Sequence, residues 1–123
     1  MAGSFRALII DDDPDLASLI RRTLEFTAGW DVQTALSGAA GIALARSAPP
    51  DVVLVDVMMP EMDGYEVCRR LKSDPVTAVV PVVLLTARRD LDERLLTGTG
   101  AAGVLFKPFQ PQDLARQVRE LCP

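Results

Sequence analysis

Acidic residues crowd together where the first apolar run of the chain ends, in the segment LIIDDDPD at residues 8–15. Adjacent like charges repel, so such a cluster needs either open solvent or a compensating cation. Asp13 followed by Pro14 is typical of a helix N-cap with proline at the first helical position. Asp11 and Asp12 have two interpretations, a solvated turn or a pair of metal ligands, and the choice depends on which other side chains reach them.

An EF-hand is excluded as the reason for these acids. Counted from Asp11, an EF-hand loop needs glycine at its sixth position and glutamate at its twelfth. Leu16 and Arg22 occupy those positions. Any cation here must therefore be held by residues that are distant in sequence.

Short apolar runs alternate with helix-like segments along the whole chain. The third and fourth runs are continuously apolar and rich in valine, which is typical of parallel strands that are covered on both faces. The five predicted strands are RALII (6–10), DVQTAL (31–36), VVLV (52–55), PVVLL (81–85) and VLF (104–106). Strict alternation with helices predicts an α/β fold with one parallel five-stranded sheet and helices on both faces.

Five helices are predicted between and after these strands. Leu16, Leu19, Ile20 and Leu24 fall on one face of the first, and Ile42, Ala43 and Leu44 form an apolar stripe on the second. The predicted ranges are 14–28, 38–48, 64–73, 90–97 (ending before Gly98) and 111–121.

Polar side chains occur at four of the five predicted strand ends. The carboxyl ends of parallel strands share one edge of the sheet, where open α/β folds bind their ligands. The residues concerned are Asp11, Asp12 and Asp13 after the first strand, Asp56 after the third, Thr86 after the fourth and Lys107 after the fifth. Convergence of this kind favours a functional site over a solvated turn at Asp11 and Asp12.

The chemistry of this site is predicted to be phosphoryl transfer. Carboxylates from two strand ends form a hard-oxygen site suited to Mg²⁺, which keeps positions open for phosphate oxygens. Lys107 adds a positive charge and Thr86 a hydroxyl donor around a phosphoryl group. Asp56, the lone acid in LVDVMMP, is the predicted nucleophile, because a carboxylate is already ionised at neutral pH and can form an aspartyl-phosphate.

Composition limits the other functions that this chain can have. The 123 residues suit a single domain, 1–123, and the hydrophobic fraction of 49% is enough for an ordinary core. A net charge of −4 without a strongly basic run argues against direct binding to nucleic acid. The apolar stretch 78–87 is too short to span a bilayer, and no signal peptide is recognisable. Two cysteines far apart in sequence and no histidine leave no zinc-site pattern, and a cytoplasmic protein with free thiols is expected.

The whole chain resembles the receiver domains of two-component response regulators, including the chemotaxis regulators. The segments that carry the resemblance are LIIDDDPD, LVDVMMPEMDGYE, VVLLTAR and GVLFKPF, in that order. The resemblance implies a flavodoxin-like doubly wound sheet with strand order 2-1-3-4-5 and five helices. It also implies a phosphorylation-dependent signalling switch with a downstream partner or effector domain, in place of an enzyme with its own substrate.

The resemblance also implies a role for each site residue. Asp56 would accept a phosphoryl group from a phosphohistidine on a sensor histidine kinase or a phosphotransfer protein. Asp11 and Asp12 would hold Mg²⁺ together with Asp56 and the backbone carbonyl of Met58. Thr86 and Lys107 would contact the phosphoryl oxygens, and the Lys107–Pro108 peptide bond would be cis. The surface formed by the helix predicted over 90–97, the fifth strand and the last helix would change on phosphorylation, and weak homodimerisation through it is a further expectation.

Two features depart from the family pattern. Val104 occupies the position, three residues before the lysine, where the family usually has an aromatic switch residue. The stretch from Thr86 to Lys107 is also about one residue shorter than is usual in the family. Val104 supports an alternative function, an unphosphorylated interaction scaffold of receiver shape.

A second alternative is a Mg²⁺-dependent phosphotransferase or phosphatase of the haloacid-dehalogenase type. Such enzymes need a second aspartate two residues after the nucleophile, and Met58 occupies that position here. The chain also has no cap domain to enclose a substrate. Both features disfavour this alternative.

Overall fold

One parallel sheet organises the computed structural model, which describes residues 4–87 and 97–123. The sheet has five strands in the order β2-β1-β3-β4-β5, as the resemblance implied, and neighbouring strands are parallel. The strands are β1 (Arg6–Ile10), β2 (Asp31–Ala35), β3 (Val52–Asp56), β4 (Val82–Thr86) and β5 (Gly103–Phe106). Asp56 and Thr86 are therefore the last residues of β3 and β4. The predicted strands ended one residue earlier, so the two residues had been placed just after them.

Four helices lie within the described ranges, and three of them have the predicted bounds. They are α1 (Pro14–Ala28), α2 (Gly38–Ser47), α3 (Gly64–Ser73) and the C-terminal helix (Pro111–Leu121). Residues 90–96 of the remaining predicted helix lie outside the described residues. Residues 97–99 are helical, so the predicted end before Gly98 is wrong.

Local side-chain chemistry explains where α1 begins and ends. The Asp13 carboxylate accepts hydrogen bonds from the backbone N–H groups of Asp15 (3.0 Å) and Leu16 (3.3 Å). Pro14 follows at the first helical position, as predicted. At the other end Gly29 adopts a left-handed conformation with φ of 68°, which glycine reaches without steric cost.

The sheet separates two apolar layers, one on each face. On one face Ile9, Leu54 and Leu85 pack with α1 and the C-terminal helix. On the other face Ile10 and Leu84 pack with α2 and α3. Strands β3 and β4 are buried at every position, in agreement with their continuously apolar sequences.

Two predicted helix faces differ from the observed ones. Leu19 is 53% exposed and belongs to the outer side of α1. In α2, Ile42 and Leu44 of the predicted stripe are partly buried against the core, but Ala43 is exposed and the fully buried residues are Gly38, Gly41 and Ala45. The reason is a close approach between α2 and β1. A Cβ on Gly41 would lie 2.3 Å from the buried side chain of Ile10, which would have to move to admit it.

Candidate functional site

The predicted polar residues meet at the carboxyl edge of the sheet. Register brings the strand ends level, with Asp56 beside Leu85 and Thr86 beside Phe106. Asp11 and Asp12 follow β1, and Lys107 follows β5. Residues that are 96 positions apart in sequence, Asp11 and Lys107, are in contact here.

Asp11 is buried and held in place by the backbone. It is 1% exposed, its N–H donates to the carbonyl of Ala35 at 3.0 Å, and its Oδ1 accepts the N–H of Asp13 at 2.9 Å. Asp12 is exposed. The two neighbouring acids thus differ, since one is fixed inside the site and the other opens towards solvent.

Asp56 lies at the end of β3 with only 7% of its surface exposed. Burial raises the pKa of its carboxyl above the ordinary value, and the negative charge of Asp11 adds to this effect. The Lys107 ammonium and the N–H of Met58, which donates to Oδ1 at 3.3 Å, act in the opposite direction on this pKa. A buried carboxylate with a nearby cation and an N–H donor is a candidate nucleophile that needs no histidine to activate it.

Lys107 lies between the two buried acids. Its Nζ is 3.4 Å from Oδ2 of Asp11 and 3.5 Å from Oδ1 of Asp56. The Lys107–Pro108 peptide bond is cis, as the resemblance implied, and the N–H of Lys107 donates to the carbonyl of Thr86 at 2.8 Å. The ammonium therefore contacts both carboxylates at the point where a phosphoryl group on Asp56 would place its charge.

Thr86 is fully buried at the end of β4, next to β5 in the sheet. Its position at the same edge as Asp56 is the predicted one. Val104, at the position of the expected aromatic residue, is partly buried and packs against the apolar layer of α2 and α3.

The loop after Asp56 contains two structural features that the sequence analysis did not identify. Glu61 has a positive φ of 66°, and the N–H of Met62 donates to the carbonyl of Pro60 at 2.7 Å, which defines a γ-turn around Glu61. Gly64 then begins α3 against the end of β3, where a Cβ would lie 2.6 Å from the carbonyl oxygen of Asp56. The sequence signal for the second feature is the Asp63–Gly64 pair, which is typical of a turn before a helix.

The acidic residues fit a hydrated divalent cation. Asp11, Asp12 and Asp56 each offer a carboxylate oxygen within 4.8 Å of the others. Within the described ranges, Lys107 is the cation that forms ion pairs with Asp11 and Asp56, so three carboxylates face one ammonium. A hard divalent cation would balance the remaining charge, and exposed Asp12 leaves room for the waters that Mg²⁺ retains.

An apolar groove of about 410 Å³ opens beside Lys107. Leu16 and Leu19 of α1 line one side of it, and Phe109 lines the other, near the start of the C-terminal helix. Leu19 is half-exposed and contributes apolar surface to this groove.

Comparison with known proteins assigns the family. The family model described as response regulator receiver domain matches residues 7–119, and this chain belongs to that family. Receiver domains are phosphoacceptor switches of two-component signalling. They bind Mg²⁺ at an acidic pocket and interact with histidine kinases and effector domains.

Curated relatives and solved structures agree with this assignment. The chain is 43% identical over 117 residues to the DNA-binding dual master transcriptional regulator RpaA of Synechocystis, covering 94% of this chain and 48% of the relative. It is 40% identical over 121 residues to the response regulator PleD of Caulobacter vibrioides, covering 96% of this chain and 26% of that relative. Among solved structures, the chemotaxis protein CheY4 of Vibrio cholerae superimposes with a TM-score of 0.91 at 29% identity, over 97% of this chain and 99% of that one. The chain thus spans about half or less of these curated relatives.

Two further observations concern membrane-spanning helices and the cysteines. Within residues 4–87 and 97–123, no helix has the length and apolar character needed to cross a membrane. Cys68 and Cys122 are both free thiols.

Proposed function

We propose that Asp56 is the phosphoacceptor of this receiver domain and that its phosphorylation requires Mg²⁺. The observation that supports this most strongly is the placement of Lys107, whose ammonium contacts both Asp11 and Asp56 at the carboxyl edge of the sheet. An ammonium in that position would compensate the charge that a phosphoryl group brings to Asp56.

The proposed reaction is the transfer of a phosphoryl group from a phosphohistidine. A carboxylate oxygen of Asp56 attacks phosphorus, the phosphorus–nitrogen bond breaks, and its electron pair stays on the imidazole nitrogen. The product is an acyl phosphate on Asp56. Lys107 and the hydroxyl of Thr86 bind the phosphoryl oxygens, and the N–H of Met58 orients the attacking carboxylate.

The metal site consists of Asp11, Asp12, Asp56 and the backbone carbonyl of Met58. Buried Asp11 is already fixed through its own N–H, which donates to Ala35, and through its carboxylate, which accepts the N–H of Asp13. Little further ordering is therefore needed when a metal binds. When bound, Mg²⁺ would offset the repulsion between the acids and the incoming phosphoryl group.

The phosphodonor is proposed to be a sensor histidine kinase or a phosphotransfer protein. The apolar groove beside Lys107 supports this, because a donor helix with apolar side chains could dock there while its phosphohistidine reaches Asp56. Two free thiols are consistent with a reducing, cytoplasmic compartment.

The output is proposed to be a downstream effector protein or an effector domain. The first curated relatives are roughly two to four times as long as this chain, and RpaA is described as DNA-binding. With a net charge of −4, this chain itself is not expected to bind nucleic acid directly. Weak homodimerisation and the single-domain extent 1–123 stay predictions.

Intact-protein mass spectrometry after incubation with Mg²⁺ and acetyl phosphate tests the proposal. We expect the wild type to gain the mass of one phosphoryl group and Asp56→Asn, or wild type with EDTA, to gain none. Asp63→Asn is the matched control, because this exposed aspartate caps α3 in the same loop and asparagine also caps helices. Equal labelling of wild type and Asp56→Asn would contradict the assignment of Asp56.

This experiment and a phosphate-release assay address the alternatives. The absence of any mass gain in a wild type that binds Mg²⁺ would favour the scaffold function that Val104 suggests. Continuous release of phosphate from an added phosphate ester would instead indicate an enzyme with its own substrate, contrary to the proposed switch.

A further inference from the structure

One face of α3 contacts the loop that follows Asp56, the proposed acceptor, and also the segments that precede β4 and β5. Gly64, Cys68 and Lys72 are four residues apart, so they form a single ridge along the helix. We call these three residues the α3 ridge. A helix of ten residues is about 15 Å long, so the ridge spans a large part of the domain.

The first contact of the α3 ridge is made by backbone alone. The N–H of Gly64 donates to the carbonyl of Val57 at 3.0 Å, and the position of a Cβ on Gly64 is already filled by the backbone of Asp56 and Val57. There is no side chain at this contact that can adjust by rotation. A displacement of the acceptor backbone must therefore displace the start of α3.

The middle contact of the ridge reaches the segment that leads into β5. The thiol of Cys68 donates to the carbonyl of Thr99 at 3.3 Å. Thr99 is itself buried, and its Oγ1 accepts the N–H of Ala101 at 3.3 Å. Cys68 is therefore both a buried side chain of the core and a hydrogen-bond donor to the segment that leads into β5.

The last contact of the ridge fixes two segments at once. The ammonium of Lys72 donates to the carbonyls of Val80 (2.6 Å) and Ala78 (3.1 Å), just before β4 begins. Its aliphatic stem lies against Gly100, where a Cβ would be 3.2 Å from the Lys72 Cγ. Gly100 has a positive φ of 79°, so this contact occurs at a turn that favours glycine.

We propose that the α3 ridge couples phosphorylation of Asp56 to residues 97–102, the segment that leads into β5. The inference rests on the proposed function, because it needs Asp56 to be the acceptor. Rigid contacts at both ends of one short helix favour transmission, since close-packed interfaces move between discrete arrangements in place of deforming gradually.

Hydrogen exchange of residues 97–106, measured by mass spectrometry with and without Mg²⁺ and beryllium fluoride as a phosphoryl mimic, tests the inference. The variants are Lys72→Met, which keeps the stem and removes the ammonium, and Cys68→Val, which fills the same space without a donor. Arg70→Met is the matched control, because Arg70 is an exposed residue of α3 whose side chain pairs with Glu66. Thermal melts show whether each variant is folded at the temperature of the assay.

In the wild type we expect the mimic to change exchange in residues 97–102. In unmodified Lys72→Met we expect exchange there to be about tenfold faster, because two carbonyls lose a charged donor. The defining result concerns the response to the mimic, which both ridge variants should lose and Arg70→Met should keep. If the ridge residues had a merely structural role, their substitution would speed hydrogen exchange equally with and without the mimic. The change that the mimic causes in residues 97–102 would then be retained.

The possible failures are distinguishable. A wild type that takes up neither the mimic nor a phosphoryl group would overturn the proposed function and the inference with it. Two results would overturn the inference alone. In the first, the wild type takes up the mimic but hydrogen exchange in residues 97–102 does not change. In the second, both ridge variants respond to the mimic as the wild type does. Asp56→Asn treated with the mimic should show no change, which ties any response to the acceptor.

Discussion

Replacing Gly64 with alanine should displace the loop that follows Asp56, because the absence of a Cβ lets α3 begin directly against β3. The added Cβ would lie 2.6 Å from the carbonyl oxygen of Asp56 and 2.8 Å from the Cα of Val57. Both are backbone atoms that cannot rotate away. Gly38, the first residue of α2, is the matched control, because its Cβ would meet only side-chain atoms, the nearest being Cγ2 of Val67 at 2.8 Å.

The size of the effect follows from the kind of clash. Overpacking a well-packed site costs about 1–3 kcal/mol, and a clash with backbone on two sides belongs in the upper part of that range. We therefore expect Gly64→Ala to lower the free energy of unfolding by about 2–3 kcal/mol. The carboxylate of Asp56, the proposed acceptor, moves with its backbone. Since misplacement by about 1 Å can cost a reaction roughly 100-fold, phosphorylation by acetyl phosphate should slow at least about tenfold.

Urea denaturation followed by circular dichroism measures the stability change, and intact mass against time measures the rate of phosphorylation. The rate is measured without urea, where the signal shows that the variant is fully folded. Gly38→Ala should lose less stability and keep a rate close to that of the wild type. The reasoning would be refuted if Gly64→Ala were as stable as Gly38→Ala and were phosphorylated as fast as the wild type.

Four further predictions follow from individual residues. Lys107→Met should slow phosphorylation by acetyl phosphate about 100-fold, as loss of one preorganised charge donor commonly does, and a rate within twofold of wild type would contradict its assignment. Asp12→Asn should abolish the rise in melting temperature that Mg²⁺ gives the wild type, while the variant without Mg²⁺ melts no lower; a retained Mg²⁺ effect would exclude Asp12 as a ligand. Glu61→Gly should raise the free energy of unfolding by about 0.5–1 kcal/mol in urea titrations, because glycine adopts positive φ without the steric cost that Glu61 bears, whereas a loss of stability would show that its side chain contributes more than its backbone costs. Burial raises the pKa of both thiols and leaves less thiolate at pH 8. Maleimide should therefore label Cys122 slowly, and fully buried Cys68 hardly at all until the chain is unfolded, with labelling rising at higher pH. Rapid labelling of Cys68 in the folded state would contradict its burial.

Much of the fold could be predicted because its signals are local. The bounds of α1 depend on Asp13, Pro14 and Gly29, whose capping and turn preferences act within a few residues. Valine-rich runs with no polar side chain likewise indicated strands buried on both faces, as β3 and β4 are. Each of these signals is present in the sequence without reference to distant residues.

The errors arose where a distant contact determines the outcome. Periodicity assigned Leu19 to the buried face of α1, but nothing in the sequence shows that the groove beside Lys107 leaves it half-exposed. In α2, hydrophobicity pointed to Ala43, whereas the close approach to Ile10 places Gly41 at the interface. Side-chain size at a contact between elements is not visible in the pattern of one element.

The proposed site and the α3 ridge differ in how far the sequence reveals them. Strand ends in a parallel sheet must meet, so four polar residues in the correct order are enough to predict that Asp11, Asp56 and Lys107 come together. The α3 ridge has no such signature, because Cys68 reads as core and Lys72 as a solvated charge until residues 78–80 and Thr99 are placed beside them. The acceptor role proposed for Asp56 thus depends on topology, which the sequence reveals, whereas the proposed response depends on packing between distant segments, which the sequence does not reveal.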